Sequence, residues 1–441
     1  MKKNYLNAAI FFTAVFFAFS ASADQTADGK AERFSLSNGA KVIILPISNN
    51  DVVSVRSYIL GGSANYPLEK AGIESLWLST ALKGSVNYPK EKLYPFLEET
   101  GSYIDYSADR DFSSFDLKCL RFTLRESMDV YFDLLLNPAM LKEEFNLSKE
   151  RHIAGAKARK EDPEGYLAFQ MNQALYKGHA YEAHPSGSEE SLPGITLEDV
   201  MEHKAKALTG KNLLIVIVGK VSKETLLPYI EDKLKSLPSG SNLQKEAKPF
   251  TPAKNTFPLI EKSEIPTNYI LGKFVVSGSG SREYWAMKIA LTRLSRSLWD
   301  AVRTKEGLAY AVGSSMADNR SNFGYIYLST TDPQKALSLI KTTLADAVKN
   351  GLPEKEIENA KTLFQTRYLM GIESNGGLAG FIAWNEICGE GFIDAATVLA
   401  TVRSLTAKEV NDALAKGLEK IYWAAIGSPD NLNPKIFFDK P

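Results

Sequence analysis

The sequence predicts an α+β protein of two similar lobes, each a mainly antiparallel sheet with helices packed on it. Two observations carry this: a domain-length internal repeat, and in each half a succession of strand, helix, paired strands, long helices and a final apolar strand. The repeat is set by landmarks. Thr196, followed by Leu197, Glu198 and Asp199, precedes a helical run and then the apolar stretch Leu213–Val218, closed by Gly219. Thr406, with Glu409 three positions on, precedes another helical run and then Tyr422–Ile426, closed by Gly427. Each Thr with its acidic partner has the spacing of a capping box. Upstream, Leu141 opens one long helix and Leu352 its counterpart, with Pro353 suited to a first turn. Leu141 to Thr196 is 55 positions and Leu352 to Thr406 is 54. The offset of about 210 residues is that of a whole domain, far longer than a solenoid period.

The elements follow in order. Lys41–Leu45 and Val52–Leu60 read as strands, ended by Pro46 and by Gly61 and Gly62. Gly72–Leu82 reads as a helix. Tyr103–Ser107 and Ser113–Leu120 read as antiparallel strands around the turn-prone Asp109, Arg110 and Asp111. The lobes are expected over 31–238 and 258–437, joined by a polar linker over 239–257 that begins near Pro238, Ser239 and Gly240.

Composition bounds the function. A hydrophobic fraction of 44% and a charged fraction of 24% are those of a globular protein with a large core. Lys and Arg together number 52, as do Asp and Glu, and no dense basic run follows the N-terminus, which argues against nucleic acid as the main partner. Lys2 and Lys3, the apolar stretch through Phe19, and Ala21, Ser22 and Ala23 form a signal peptide over 1–23. The apolar run is shorter than the ~20 residues of a membrane-spanning helix; an uncleaved anchor is the alternative. A periplasmic or secreted protein is expected, with no later membrane span. Cys119 and Cys388 read as buried free thiols, although export permits a disulfide. His152, His179, His184 and His203 show no metal-ligand pairing.

The residues also resemble a known family. The segment from Phe34 through Asn38 and Gly39 to Val42 resembles the opening of the pitrilysin/insulinase (inverzincin) zinc peptidases. Gly61, Gly62 and Ser63, then Gly72 through Lys83, Gly84 and Ser85, resemble the segment around that family's zinc helix. Glu356 through Lys361, and Glu373 with Ser374, resemble its second-half helix. The resemblance covers nearly all of the mature chain and implies two lobes closing around a peptide-sized chamber. Its signature, H-x-x-E-H, puts two imidazoles on one helix face to hold zinc, with a general-base Glu between them. Here Ser75 and Ser79 fall at the two His positions and Leu78 at the Glu position, while the distal Glu ligand falls at Ala156 or Lys157. Hydroxyls are poor zinc ligands, Leu accepts no proton, and a Lys there would put a cation in the metal's place. No metal is expected in this chain.

The resemblance also implies what remains. Arg303, Gly307, Leu308 and Tyr310 match the family's Arg…Gly-Leu-x-Tyr segment, whose Arg and Tyr hold the substrate peptide and stabilise the oxyanion. Gly307 is suited to end a helix in the left-handed conformation, with a strand beginning at Tyr310. A chain with this pair and no zinc site resembles the non-catalytic subunit of a heterodimeric zinc endopeptidase, whose zinc-bearing H-x-x-E-H paralogue would share a peptide substrate with it. The alternative is a catalytically silent scaffold or peptide-binding protein of the same fold. No nucleophile elbow supports a different hydrolase. The Gly-rich stretch Gly371–Gly391 reads either as a polar loop bordering the chamber or as a helix with a Gly-containing turn.

Overall fold

The computed structural model describes residues 29–244, 246, 248–250, 259–261, 264–389, 391 and 395–438. The expected signal peptide over 1–23 and nine of the nineteen residues of the expected linker lie outside the described residues. Phe250, in the linker, is buried against Tyr176.

The first sheet contains β1 (Glu32–Ser35), β2 (Lys41–Pro46), β3 (Val52–Leu60), β4 (Tyr103–Ala108), β5 (Phe112–Leu120) and β6 (Leu213–Gly219). The second contains β7 (Leu259–Glu261), β8 (Asn268–Val275), β9 (Ala309–Met316), β10 (Phe323–Thr330) and β11 (Tyr422–Gly427). Their orders are β1-β2-β6-β3-β5-β4 and β7-β11-β8-β10-β9. Setting β2, β6, β3, β5 and β4 against β7, β11, β8, β10 and β9 superposes the topologies. Even the one parallel pair, β2 with β6, has its counterpart in β7 with β11. The repeat read from the sequence is therefore a repeat of fold, with β1 as the extra strand of the first lobe.

Both capping boxes are formed: Thr196 with Asp199 opens the helix Leu197–Ala207, and Thr406 with Glu409 opens Ala407–Leu418. Pro353 sits just before the helix Glu354–Gly371 and not inside its first turn. One face of each sheet is packed by helices of its own lobe, around Trp77, Phe115 and Tyr131 in the first and Phe274, Tyr284 and Leu294 in the second.

The opposite faces are covered by exchange. Helix Asn375–Cys388 of the second lobe lies on β3 and β6, packing Ala379, Ile382 and Ala383 against Tyr58, Leu214 and Val216. Helix Pro163–Leu175 of the first lobe lies on β8 and β11, packing Leu167 and Met171 near Leu271, Tyr422 and Ala424. This explains why β6 and β11 are buried at every residue, as central strands covered on both sides are. It also resolves the stretch Gly371–Gly391 as a packing helix and not a polar loop. Gly380 sits where a Cβ would come within 3.2 Å of Arg56 Nη1, so the small residues let the helix lie close on the sheet. Its start is fastened by Asn375, which donates to the Val52 carbonyl at 2.6 Å. Between the lobes, Tyr181 donates to Asp111 at 2.5 Å and accepts from the Ser321 amide at 3.0 Å.

Candidate functional site

The helix Ile73–Ala81 is buried at every residue, between β4, the helices Leu124–Leu136 and Lys142–Ala158, and the helix 197–207. Its three zinc-motif positions do structural work. Ser75 donates to the Pro185 carbonyl at 3.1 Å and Ser79 to the Leu76 carbonyl at 3.2 Å, while Leu78 is fully buried in the hydrophobic core. The hydroxyls are thus spent on carbonyls. Of the two distal positions, Ala156 packs into this core, together with Phe145 of the same helix 142–158. Lys157, the other distal position, is exposed. His152 bonds back to the Ser148 carbonyl of its own helix. Among the described residues no three His, Cys, Asp or Glu side chains form a group suited to a metal ion. The donor set does not fit zinc.

One acid on this helix escaped the sequence reading. Glu74 is buried and accepts from Ser113 Oγ and from His203 Nε2, the latter at 3.0 Å. It tethers the zinc-motif helix to β5 and to helix 197–207. Cys119 and Cys388 are free and buried, and burial pushes the Cys119 thiol up to about 12.

In the second lobe the predicted pair is assembled. Helix Arg282–Leu298 widens into a π-helical turn, Trp299–Thr304, a geometry frequent at functional sites. Gly307, at φ 65°, reverses the chain into β9 as expected. Pairing of β9 with β10 then slips: Ala311 faces Ser329 but Ala309 faces Thr330, leaving Tyr310 as an extra residue on the edge strand. Such a bulge re-aims its side chain. Tyr310 is accordingly 82% exposed. The Arg303 guanidinium lies 4.5 Å from the Trp299 ring centroid and 5.5 Å from that of Tyr310. No carboxylate among the described residues is within ion-pair reach of Arg303, and the Tyr310 hydroxyl has no partner there. Trp299 was missed, although its place one helical turn before Arg303 is the signal that would have found it. None of the pair's ring contacts reaches helix 73–81.

No helix among the described residues is long and apolar enough to cross a membrane. Residues 41–187 match the family model for insulinase (Peptidase family M16), and 194–364 that for the peptidase M16 inactive domain. An uncharacterized zinc protease of Rickettsia felis is 22% identical over 418 residues, 91% of this chain and 99% of its own. A protein named non-peptidase homolog YmxG, of Helicobacter pylori, is 22% identical over 71% of this chain and 73% of its own. The crystal structure of a peptidase M16 inactive domain from Pseudomonas fluorescens superposes with a TM-score of 0.83 at 21% identity, over 92% of this chain and 100% of that one. With Ser75, Leu78 and Ser79 where the zinc motif requires His, Glu and His, the chain belongs to the insulinase/pitrilysin family, peptidase family M16, as a zinc-less member.

Proposed function

We propose that this chain is the non-catalytic subunit of an exported heterodimeric zinc endopeptidase, and that it lends Arg303 and Tyr310 to a site completed by a zinc-bearing paralogue. One observation carries the reading: half-buried Arg303 and exposed Tyr310 lie side by side, and neither has a polar partner among the described residues. Holding an arginine over a tryptophan and re-aiming a tyrosine with a bulge serves an external ligand. Arg303 offers a planar fork of donors to a peptide carbonyl or carboxylate. Tyr310 offers a hydroxyl donor to negative charge developing on the carbonyl oxygen. In this reading the lobes are 31–238 and 258–437, the leader is removed near Ala23, and the partner carries an intact H-x-x-E-H.

The test is reconstitution. The purified mature chain, a zinc-bearing paralogue from the same cell, and their mixture are assayed on an unstructured fluorogenic peptide. Activity of the mixture far above either component is expected. A stable complex with no gain would instead favour the silent scaffold, the reading supported by the structural use of Ser75, Leu78 and Ser79 and by the relative named as a non-peptidase homolog.

A further inference from the structure

Between helix 163–175 and the second sheet lies a cleft of about 510 Å³, in the range of small-ligand sites. Its floor is two cross-strand rows. Lys273, Tyr325 and Ser315 stand opposite one another on β8, β10 and β9, and Leu271, Tyr327 and Gly313 form the next row. Gly313 keeps the floor open, for a Cβ there would meet Ser295 Oγ at 2.8 Å. Leu167 and Ala168 form the helix wall, Trp299 closes the side next to Arg303, and Glu164 stands at the lip.

Lys273 is the anomaly. It is 4% exposed, yet no carboxylate among the described residues lies within ion-pair reach of it. Its ammonium donates to Asn172 Oδ1 at 2.6 Å and sits 3.9 Å from the Phe323 ring centroid. An ammonium has three donors, and one neutral amide and one ring face leave its charge uncompensated. Burial, with repulsion from Arg110, lowers its proton affinity to about 7. An apolar residue of similar length would fill the same space without that cost. Below about pH 7 the cleft is therefore apolar and aromatic along its walls and carries an unbalanced cation on its floor, the complement of a carboxylate attached to an apolar group.

We propose that this cleft binds the free C-terminal carboxylate of a peptide ending in an apolar or aromatic residue, with Lys273 donating to the carboxylate and the last side chain packing on Leu167, Leu271 and Phe323. A peptide is favoured over a simple fatty acid because Ser315 and Tyr325 share the floor and their hydroxyls suit amide groups. The proposal requires neither zinc nor a partner chain, so it can fail or hold independently of the heterodimer.

At pH 6, where Lys273 is protonated, the mature chain is titrated calorimetrically with an N-acetylated alanine tetrapeptide extended by phenylalanine, as the free acid and as the C-terminal amide, and with dodecanoate. The free acid is expected to bind at least about tenfold more tightly than the amide, the scale of a charge-assisted hydrogen bond. Lys273→Met should bring the acid down to the affinity of the amide, leave the amide unchanged, and melt no lower than the parent chain. Equal binding of acid and amide, acid binding retained by Lys273→Met, or no acid binding at millimolar concentration would each overturn the proposal. Binding of dodecanoate without binding of the peptide acid would overturn the assignment to peptides.

Discussion

Replacing Tyr310 with Phe separates a functional tyrosine from a structural one. In the folded chain the hydroxyl bonds to nothing described, and the side chain is 82% exposed on a bulged edge strand. Removing one oxygen from such a position changes stability by no more than about 0.5 kcal/mol. Lost on a developing oxyanion, the same oxygen costs about 2.7–4 kcal/mol, or roughly 10²–10³ in kcat. The ring remains beside Arg303, so the 5.5 Å stacking contact, worth about 0.5–1 kcal/mol at an exposed site, survives. The assay is kcat and KM of the reconstituted heterodimer on a fluorogenic peptide, beside thermal melts of the isolated variant and its affinity for the partner. The expected pattern is a large fall in kcat with little change in KM, melting temperature or assembly. A variant that turns over at nearly the parental rate, or one that loses activity only as it loses stability, would refute the role assigned to the hydroxyl.

Three other outcomes follow from the structure. Ile382, 1% exposed where the exchanged helix meets the first sheet, should cost about 2–5 kcal/mol when cut to Ala, read as a lower urea midpoint. Cys119 and Cys388 should react with an aromatic disulfide reagent only as fast as the chain unfolds, because burial raises both thiols; burst labelling of the native protein would contradict this. Lys273 sets a pH dependence. Its ammonium falls from the ordinary 10.5 to about 7 in the fold, with Arg110, Glu164, Tyr325, Tyr327 and Tyr422 as the ionisable groups on the surrounding elements. Between those values the unfolded chain holds a proton the folded chain has shed, so this group's contribution to stability rises with pH across the window, and its full penalty is present below it. The advantage of Lys273→Met over the parent should therefore be largest near pH 6 and close toward pH 10, by about 1.4 kcal/mol per pH unit, as read from urea midpoints. A pH-independent gap would refute it.

What was legible in the sequence is what is determined locally. The edges of β2, β3 and β5 fell within a residue of the expected ones because Pro46, Gly61 and the Asp109–Asp111 turn punctuate the chain. The capping boxes at Thr196 and Thr406 are self-contained devices, so the repeat they mark could be read without knowing what packs on what. The features that eluded the sequence depend on distant partners. Helix 375–388 carries Gly376, Gly377 and Gly380 and reads like a loop, because its stability comes from β3 and β6 of the other lobe and not from its own propensity. Lys273 sits in the stretch NYILGKFV, where a charged residue suggests an exposed position; it is buried only because helix 163–175 arrives from the first lobe. The bulge at Tyr310 is a property of register with β10, and the choice between Ala156 and Lys157 is one of helix phase. Neither is visible until the neighbouring element is placed.

The exchange of helices bears on how a peptidase fold outlives its metal. Helix 73–81 is held by burial at all nine positions and by the Glu74 contacts with Ser113 and His203, none of which involves a metal. Imidazoles at 75 and 79 can therefore be exchanged for hydroxyls that bond nearby carbonyls without loosening the lobe. Arg303 and Tyr310 stand in the opposite position: Tyr310 is exposed, and half-buried Arg303 lies over the rings of Trp299 and Tyr310. Loss of the metal site in one lobe is thus compatible with full retention of the fold, whereas the pair in the other lobe makes no polar contact among the described residues. That asymmetry, more than the missing ligands, is the physical reason to look for the remainder of the site on a second polypeptide.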